Sequence, residues 1–319
     1  SDSDYTYRPD GRLGHLVNDA GDQTFNYDNR GLLSTHQVGG GEGTYTYDWD
    51  VAGRLAKITY PDGHTREQAY DTQSRITSRC YKYPGGVPAD RCYTAEYDAV
   101  GNPTRMVDPE GEDLFEYDAL DRLTKVTRKV AGATVNVETY TFNALGALKN
   151  NGGVALDDQR PKLQGGGTAD SSVPATFGGQ GVALDAGGRV TGLAGATLSW
   201  DSHPLLTQID PGGGGTPVEF SRDASLRVLD AKRGSAHQVY VYEGANRIAR
   251  HDANGAIEAT WLYVGTDDVL RMDQGGTKVF YETDLAGNVR RLRGSGGTDL
   301  GGYRYSAFGK LYPADAATP

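Results

Sequence analysis

One short pattern recurs about a dozen times along the 319-residue chain, most often about 20 residues apart. It is Tyr-x-Tyr-Asp-x-x-Gly-Arg-Leu, loosely kept. Because internal repeats of this length build a fold from stacked units, the pattern constrains the architecture more than any other feature. The units lie at residues 5–13, 25–33, 45–55, 70–76, 97–106, 117–123, 140–148, 198–206, 220–228, 240–248, 280–289 and 303–311.

The order of residue types within a unit predicts two short strands and two turns. Rings two residues apart lie on the same face of a strand. Asp and Gly are favoured at the first and fourth positions of a type I turn, and the Asp side chain can bond the backbone two residues on. Arg-Leu then begins the return strand. We therefore predict an all-β antiparallel meander with strands of about 5–7 residues.

The residues of this motif have a structural role in the prediction. Asp and Arg of neighbouring units would form cross-strand charge pairs, and the Tyr rings would form ladders. The alternative is that the tyrosine-rich surface binds sugars, since flat rings stack on pyranose faces. The motif residues are Tyr27, Asp28, Gly31, Tyr47, Asp48, Gly53, Arg54, Tyr97, Asp98, Gly101, Tyr117, Asp118, Arg122, Asp284, Gly287, Arg290, Tyr305 and Gly309.

Repeat quality divides the chain into three parts. Residues 1–149 and 218–319 carry clear repeats, whereas residues 150–217 contain no Tyr, are rich in Gly and include a long loop at 157–174. Because the same pattern resumes afterwards, we predict one continuous sheet with an insertion. A unit is already present at residues 5–13, which favours a chain that is a segment of a longer protein.

The two cysteines, Cys80 and Cys92, flank a Pro/Gly turn. In a hairpin they could face each other and form a disulfide, which would suit an exported protein. They could equally be two unpaired strand residues. No histidine lies in the intervening loop, so a zinc site is not expected there.

Charge and residue spacing exclude several classes of function. The net charge is −10 and no basic stripe is visible, so nucleic-acid binding is not expected. The sequence contains no run of about 18 apolar residues, so no membrane-spanning helix is predicted. The six histidines follow no metal-ligand spacing, and no nucleophile and base stand at a recognisable spacing. We therefore predict a protein without catalytic residues, metal or cofactor.

These units resemble the YD repeats of RHS-repeat proteins, which include the shells of bacterial polymorphic toxins, the C subunits of Tc toxins and the animal teneurins. The C-terminal part also resembles the segment that opens the RHS-associated core, where a Tyr/Phe-rich strand precedes Asp-x-x-Gly-x-x-Arg and an aromatic strand ends in Phe-Gly. The matching residues are Asp284, Gly287, Asn288, Arg290, Tyr303, Tyr305, Phe308 and Gly309.

The resemblance implies an antiparallel ribbon that spirals into a hollow shell around a toxin. About 24 strands spaced by about 4.8 Å make a ribbon of about 115 Å, which closes once into a ring about 37 Å across. This size implies a partial shell. The implied function is a non-enzymatic, secreted or cell-surface segment that encapsulates or presents a toxin, with the cargo or adjoining shell chains as partners. The alternative is an extracellular module that binds carbohydrate or a cell surface.

Overall fold

The computed structural model describes residues 3–142, 146, 148–151, 154–155, 176–177, 180–309 and 311–312. In these residues the regular structure is β-strand, with two short 3₁₀ helices at Pro84–Gly86 and Ser295–Gly297. The all-β prediction is confirmed. The strands are β1 (Asp4–Tyr7), β2 (Leu13–Asn18), β3 (Gly21–Tyr27), β4 (Leu33–Val38), β5 (Gly43–Trp49), β6 (Leu55–Thr59), β7 (Thr65–Tyr70), β8 (Ile76–Lys82), β9 (Arg91–Tyr97), β10 (Pro103–Asp108), β11 (Gly111–Tyr117), β12 (Leu123–Val130), β13 (Ala133–Phe142), β14 (Leu148–Asn151), β15 (Val154–Ala155), β16 (Thr176–Phe177), β17 (Gln180–Leu184), β18 (Val190–Leu193), β19 (Ala196–Trp200), β20 (Leu206–Asp210), β21 (Val218–Arg222), β22 (Val228–Arg233), β23 (Ala236–Glu243), β24 (Asn246–His251), β25 (Ile257–Tyr263), β26 (Val269–Gln274), β27 (Thr277–Thr283), β28 (Val289–Arg293) and β29 (Asp299–Gly302).

The strands pair strictly in chain order, which makes the predicted meander. β1 to β15 form one antiparallel sheet and β16 to β29 form a second. Strand β5 shows why the sequence forms these strands. Tyr45 and Tyr47 are buried on one face, whereas Thr44, Thr46 and Asp48 are exposed on the other. The alternation matches the two-residue period of a strand with one solvated face.

The turns of each sheet lie in two rows, one at each end of its strands, and we call these two sides the edges of the sheet. We call the edge at which the Asp-x-x-Gly turns lie the motif edge; in the first sheet it includes the turns at 50–53 and 98–101. The opposite edge, the return edge, carries the other turns, for example residues 60–63 and 108–111. Consecutive strands alternate in direction, so the two kinds of turn alternate between the edges.

The ribbon winds past its own beginning. The return edge of the first sheet lies against the half of the second sheet nearest its motif edge, and we call this contact the seam. Arg66 of β7 bonds Asp268, which precedes β26, and the two are 202 residues apart. Arg66 and Asp268 are therefore about one circuit of the ribbon apart. The expectation that the whole chain makes a single circuit about 37 Å across is wrong, because the end of the chain overlaps the beginning.

The largest hydrophobic cluster lies at the seam. The first sheet contributes Val38, Tyr45, Tyr47, Ile58 and Tyr60, and the second contributes Leu262, Leu270 and Phe280. A second cluster consists of Tyr81, Tyr83 and Tyr93, against which Leu285 of the second sheet packs. Apolar burial therefore joins successive circuits as well as covering one face of the ribbon.

Cys80 and Cys92 form a disulfide. They lie directly opposite each other on β8 and β9, with a Cα–Cα distance of 4.1 Å. The bond closes the hairpin whose loop contains the first 3₁₀ helix.

Candidate functional site

The aspartate of each repeat closes its turn through the backbone. In the unit at residues 50–54, the N–H of Gly53 donates to the carbonyl of Asp50, and that of Asp50 to the carbonyl of Arg54. Oδ1 of Asp50 accepts the N–H groups of Ala52 and Arg54, both at 2.9 Å. The same pair of side-chain bonds forms at Asp28, Asp71, Asp98, Asp118, Asp185, Asp201, Asp223 and Asp284. Asp252 makes the same two bonds in a turn on the return edge, between β24 and β25.

These bonds keep the turn aspartate charged. The backbone N–H of Arg54, helped by the Arg54 side chain, holds the pKa of Asp50 below its ordinary value although desolvation opposes the shift. A carboxylate that is engaged by two backbone donors has little capacity left for proton transfer. Its role in the geometry is to fix the turn.

Where an arginine stands four residues after the turn aspartate, it links its own turn to the next unit. Nε of Arg54 donates to Asp50 at 2.7 Å, and Nη1 donates to the carbonyl of Asp71 at 3.1 Å. The guanidinium carbon lies 4.6 Å from the centroid of the Tyr70 ring, a cation–π distance. Similar ring contacts pair Arg75 with Tyr97, Arg122 with Phe142, Arg227 with Tyr242 and Arg247 with Trp261.

The predicted Asp–Arg pairs between neighbouring units are therefore wrong for this motif. The carboxylate partner belongs to the same turn, four residues earlier. The guanidinium reaches the neighbouring unit through an aromatic ring and a backbone carbonyl. The compact turn brings Asp50 and Arg54 together, and Nη1 of the planar guanidinium still reaches the next unit.

The second aromatic residue of each unit completes the link in the opposite direction. The hydroxyl of Tyr70 donates to the carbonyl of Leu55 at 2.8 Å, and that of Tyr97 donates to the carbonyl of Ile76 at 2.9 Å. Each acceptor begins the return strand of the preceding unit. The other members are Tyr27 to Leu13, Tyr117 to Pro103, Tyr242 to Val228, Tyr263 to Arg247, Trp49 to Leu33 and Trp200 to Val190.

One unit has a different register from the predicted one. Trp49 and Asp50 occupy the positions assigned to Tyr47 and Asp48, because Asp50 makes the turn bonds and Asp48 is an exposed strand residue opposite Lys57. Tyr47 is buried in the seam cluster. The sequence contained the signal, since Asp50 stands four residues before Arg54, the spacing found in the other units.

The C-terminal motif residues lie partly in the seam. Asp284 and Gly287 form the usual turn, but Asn288 takes the position of the arginine. Arg290 instead donates to Asp108 of the first sheet at 2.7 Å. Gly309 closes a turn that begins at Ser306, and Tyr305 forms an isolated bridge with Leu311.

Ion pairs with little exposure join the two sheets at the seam. Asp108 is buried and accepts bonds from Arg128 as well as Arg290. Burial would raise its pKa, but the Arg128 bond and the charges of both arginines hold the pKa of Asp108 below its ordinary value. Further cross-seam pairs join Glu42 to Arg271 and Lys278, Arg66 to Asp268, Arg91 to Glu282, and Glu110 to Arg291.

Sequence reasoning missed the seam residues. Arg66, Asp268 and Glu282 follow no local spacing, since their partners are about one circuit away. Among the described residues, no group of three or more His, Cys, Asp or Glu side chains could hold a metal ion. The described part of the chain also has no helix of the length and hydrophobicity that crossing a membrane requires. The arrangement joins repeats to one another and successive circuits to one another.

The comparisons with known proteins agree with this repeat geometry. The RHS Repeat family model matches residues 49–87 and 97–135, which include the turns at Asp50, Asp71, Asp98 and Asp118. These two stretches therefore match RHS repeats, and the described turns at Asp28, Asp185 and Asp223, outside them, have the same geometry.

Solved structures similar in fold to this chain include Tc toxin components. A TcdB2–TccC3–Cdc42 crystal structure has a TM-score of 0.71 and 16% identity, covering 97% of this chain. A TcdB2–TccC3–TEV crystal structure has a TM-score of 0.73 and 15% identity. A Photorhabdus luminescens Tc holotoxin pore structure has a TM-score of 0.71 and 15% identity. At these identities the likeness concerns the fold.

The chain is short beside these proteins. It covers 18% of the matched chain in each of the three structures. The tRNA3(Ser)-specific nuclease WapA of Bacillus spizizenii is 24% identical over 140 residues, which are 43% of this chain and 6% of the nuclease.

Proposed function

We propose that the chain is a non-enzymatic wall segment of an RHS shell that encapsulates or presents a secreted toxin cargo. The observation that carries this proposal is the seam. Contacts such as Arg66 with Asp268 join successive circuits of one ribbon, and a ribbon joined in this way makes a continuous curved wall.

Two kinds of contact support a barrier role. Strand-to-strand ladders hold the ribbon along its length, and the seam holds one circuit against the next. Buried Asp108 pairs with Arg290 across the seam and with Arg128 of its own sheet. Such a wall excludes macromolecules by closure and needs no reactive site. The Tc toxin likeness adds support for a toxin as the enclosed partner, with adjoining shell segments or chains completing the wall.

The proposed location is outside the cytoplasm, in a secreted or cell-surface assembly. The Cys80–Cys92 disulfide supports it, because such bonds persist in oxidising compartments. The alternative, an extracellular carbohydrate-binding module, has weaker support. Arginines cover ring faces of Tyr70, Tyr97 and Tyr242 that a sugar would need for stacking.

The test is protease protection in the full-length protein. A gene that continues past codon 319 allows thermolysin cleavage of the encoded downstream sequence to be followed by mass spectrometry in the wild type, in Asp268→Asn and in the exposed-pair control Arg105→Met, whereas a stop codon there would favour the binding module. The same downstream sequence expressed without residues 1–319 gives the unprotected rate. We expect at least tenfold slower cleavage in the wild type and the control than in the unprotected sequence, with Asp268→Asn between them.

Equal cleavage rates with and without residues 1–319 would overturn encapsulation. A glycan array on the chain alone tests the alternative. Selective micromolar binding of one glycan by a strictly monomeric protein, measured by light scattering over a concentration series, would favour the binding module instead.

A further inference from the structure

A cavity of about 200 Å³ lies between the two circuits near the start of the ribbon. Leu16 and Phe25 of the first sheet and Ile248 and Leu262 of the second contribute apolar walls. Glu243 of β23 also lines it. For comparison, an apolar cavity of about 150 Å³ admits a benzene-sized molecule.

Hydrogen bonds fix the orientation of the amide beside Glu243. Oδ1 of Asn18 accepts the N–H of Ala20 at 2.9 Å and Nε2 of Gln23 at 3.2 Å. Nδ2 of Asn18 must then point the other way, and it donates to Oε2 of Glu243 at 2.8 Å. Glu243 therefore accepts this hydrogen bond from a neutral amide group.

Glu243 differs from the other carboxylates of the seam. Glu42, Asp108, Glu110, Asp268 and Glu282 each form an ion pair with at least one Arg or Lys. Within the part of the chain that the structure describes, Glu243 forms no ion pair. Burial raises its pKa, and the hydrogen bond from Asn18 offsets only part of this rise. A half-buried carboxylate of this kind is stabilised by a cation that enters from outside.

We propose that this cavity binds a primary alkylammonium group, with the ammonium on Glu243 and a short alkyl chain against Leu16, Ile248 and Leu262. An ammonium supplies further N–H donors beside that of Asn18, together with the positive charge that the site lacks. The apolar walls then account for a chain of a few carbons. The group comes either from a free amine or from a lysine side chain of a polypeptide.

The experiment measures binding to the whole chain at pH 7.5 by isothermal titration calorimetry. The probes are n-butylammonium chloride, methylammonium chloride, n-butanol and an N-acetyl-lysine N-methylamide. The variants are Glu243→Gln and, as a matched charge control, Glu219→Gln, which alters an exposed strand glutamate. Circular dichroism confirms that both variants are folded.

We expect n-butylammonium to bind with a Kd of about 1 mM. Methylammonium and n-butanol should each bind at least tenfold more weakly, which tests the alkyl wall and the charge without any variant. Glu243→Gln should weaken n-butylammonium at least tenfold, and Glu219→Gln less than twofold. Binding of the lysine derivative at a similar Kd identifies a polypeptide side chain as the source, and its failure to bind identifies a free amine.

Three results would overturn the proposal. They are no saturable n-butylammonium binding up to 20 mM, equal affinity for n-butanol, and equal affinity in folded Glu243→Gln. If Glu243→Gln does not fold, the comparison of n-butylammonium with n-butanol and methylammonium in the wild type still decides between the outcomes.

Discussion

The guanidinium of Arg66 donates to both carboxylate oxygens of Asp268, at 2.7 and 2.6 Å, across 202 residues of sequence. The two partners differ in exposure. The Arg66 side chain is 1% exposed, whereas that of Asp268 is 31% exposed. The cost of breaking the pair should therefore depend on which partner is removed.

Asp268→Asn should destabilise the protein more than Arg66→Met. The first change leaves a buried guanidinium without a counter-charge and should lower the free energy of unfolding by about 3 kcal/mol. The second removes the buried charge, places an apolar chain in its space and leaves a carboxylate that water can reach, so about 1 kcal/mol is expected. Urea unfolding measures both values.

Arg105→Met is the control for this comparison. Arg105 pairs with Glu96 and Glu112 on the exposed face of the ribbon. Loss of such pairs should change the free energy of unfolding by about 0.5 kcal/mol or less. A larger decrease in the free energy of unfolding for Arg66→Met than for Asp268→Asn would contradict the conclusion that the arginine is the more buried partner.

Tyr97→Phe should lower the free energy of unfolding by about 1 kcal/mol. The change removes the hydroxyl bond to the carbonyl of Ile76 but keeps the ring against Arg75. Tyr7→Phe alters a ring that is 62% exposed and should have almost no effect. Thermal unfolding of the two variants decides the matter, and equal losses would show that the hydroxyl link does not join the repeats.

Gly101→Val should be more destabilising than Ala99→Val in the same turn. Gly101 has φ +107°, which a β-branched residue adopts poorly, so we expect a cost of about 2 kcal/mol. Ala99 lies at a central turn position that accepts most residues. Differential scanning calorimetry gives the two melting temperatures, and identical values would refute the requirement for glycine.

Leu226→Gly is the counterpart of Gly101→Val, and it should raise the stability of the protein rather than lower it. Leu226 occupies the fourth turn position with φ +67° and is mostly exposed, so little burial is lost. Relief of the left-handed conformation should stabilise the protein by about 0.5–1 kcal/mol, after the entropy cost of glycine. A lower melting temperature for Leu226→Gly would contradict the strain at this position.

The imidazole of His36 should make the free energy of unfolding decrease as the pH is lowered from 6.5 to 4. Burial lowers its pKa from 6.5 to about 4, and the charge of Arg271 adds to the shift. The folded state therefore keeps the neutral ring while the unfolded state takes up a proton as the pH falls through 6.5. About 3 kcal/mol should be lost by pH 4, and the loss should be absent above pH 7.5.

His36→Gln isolates this contribution. The variant keeps a polar group near Gln23, to which Nε2 of His36 is hydrogen-bonded at 2.9 Å, but it cannot titrate. Urea unfolding at pH 7.5, 6, 5 and 4 should show a shallower loss in the variant. Parallel curves for wild type and variant would show that His36 is not responsible.

The local parts of the fold were predictable because they depend on neighbours in sequence. Asp98 and Gly101 are three residues apart, and their turn follows from side-chain bonding and backbone preference alone. The alternation in β5 likewise predicts which face is buried. The misplacement of the turn at Asp48 arose because two aromatic-acidic pairs stand in succession, and spacing to Arg54 was the better guide.

The seam could not be predicted because it depends on curvature. Glu282 meets Arg91 only because the ribbon turns by a small angle at every strand and returns to that point. Small differences in twist change which residues meet after a full circuit. Arg290 illustrates this limit. The motif predicted a charge pair with a neighbouring unit, whereas its closest carboxylate is Asp108, on the preceding circuit.

Because Arg66 and Asp268 are 202 residues apart and must still meet, the length of chain between them sets the circumference of one circuit. In a linear solenoid, adding one repeat lengthens the array and disturbs only adjacent repeats. Here, one additional 20-residue unit between the two residues would leave every hairpin intact but displace each downstream seam partner by one unit. The number of repeats per circuit is therefore constrained by the seam contacts, much as the size of a core residue is constrained by its neighbours. The sequence of any single repeat is not constrained in this way.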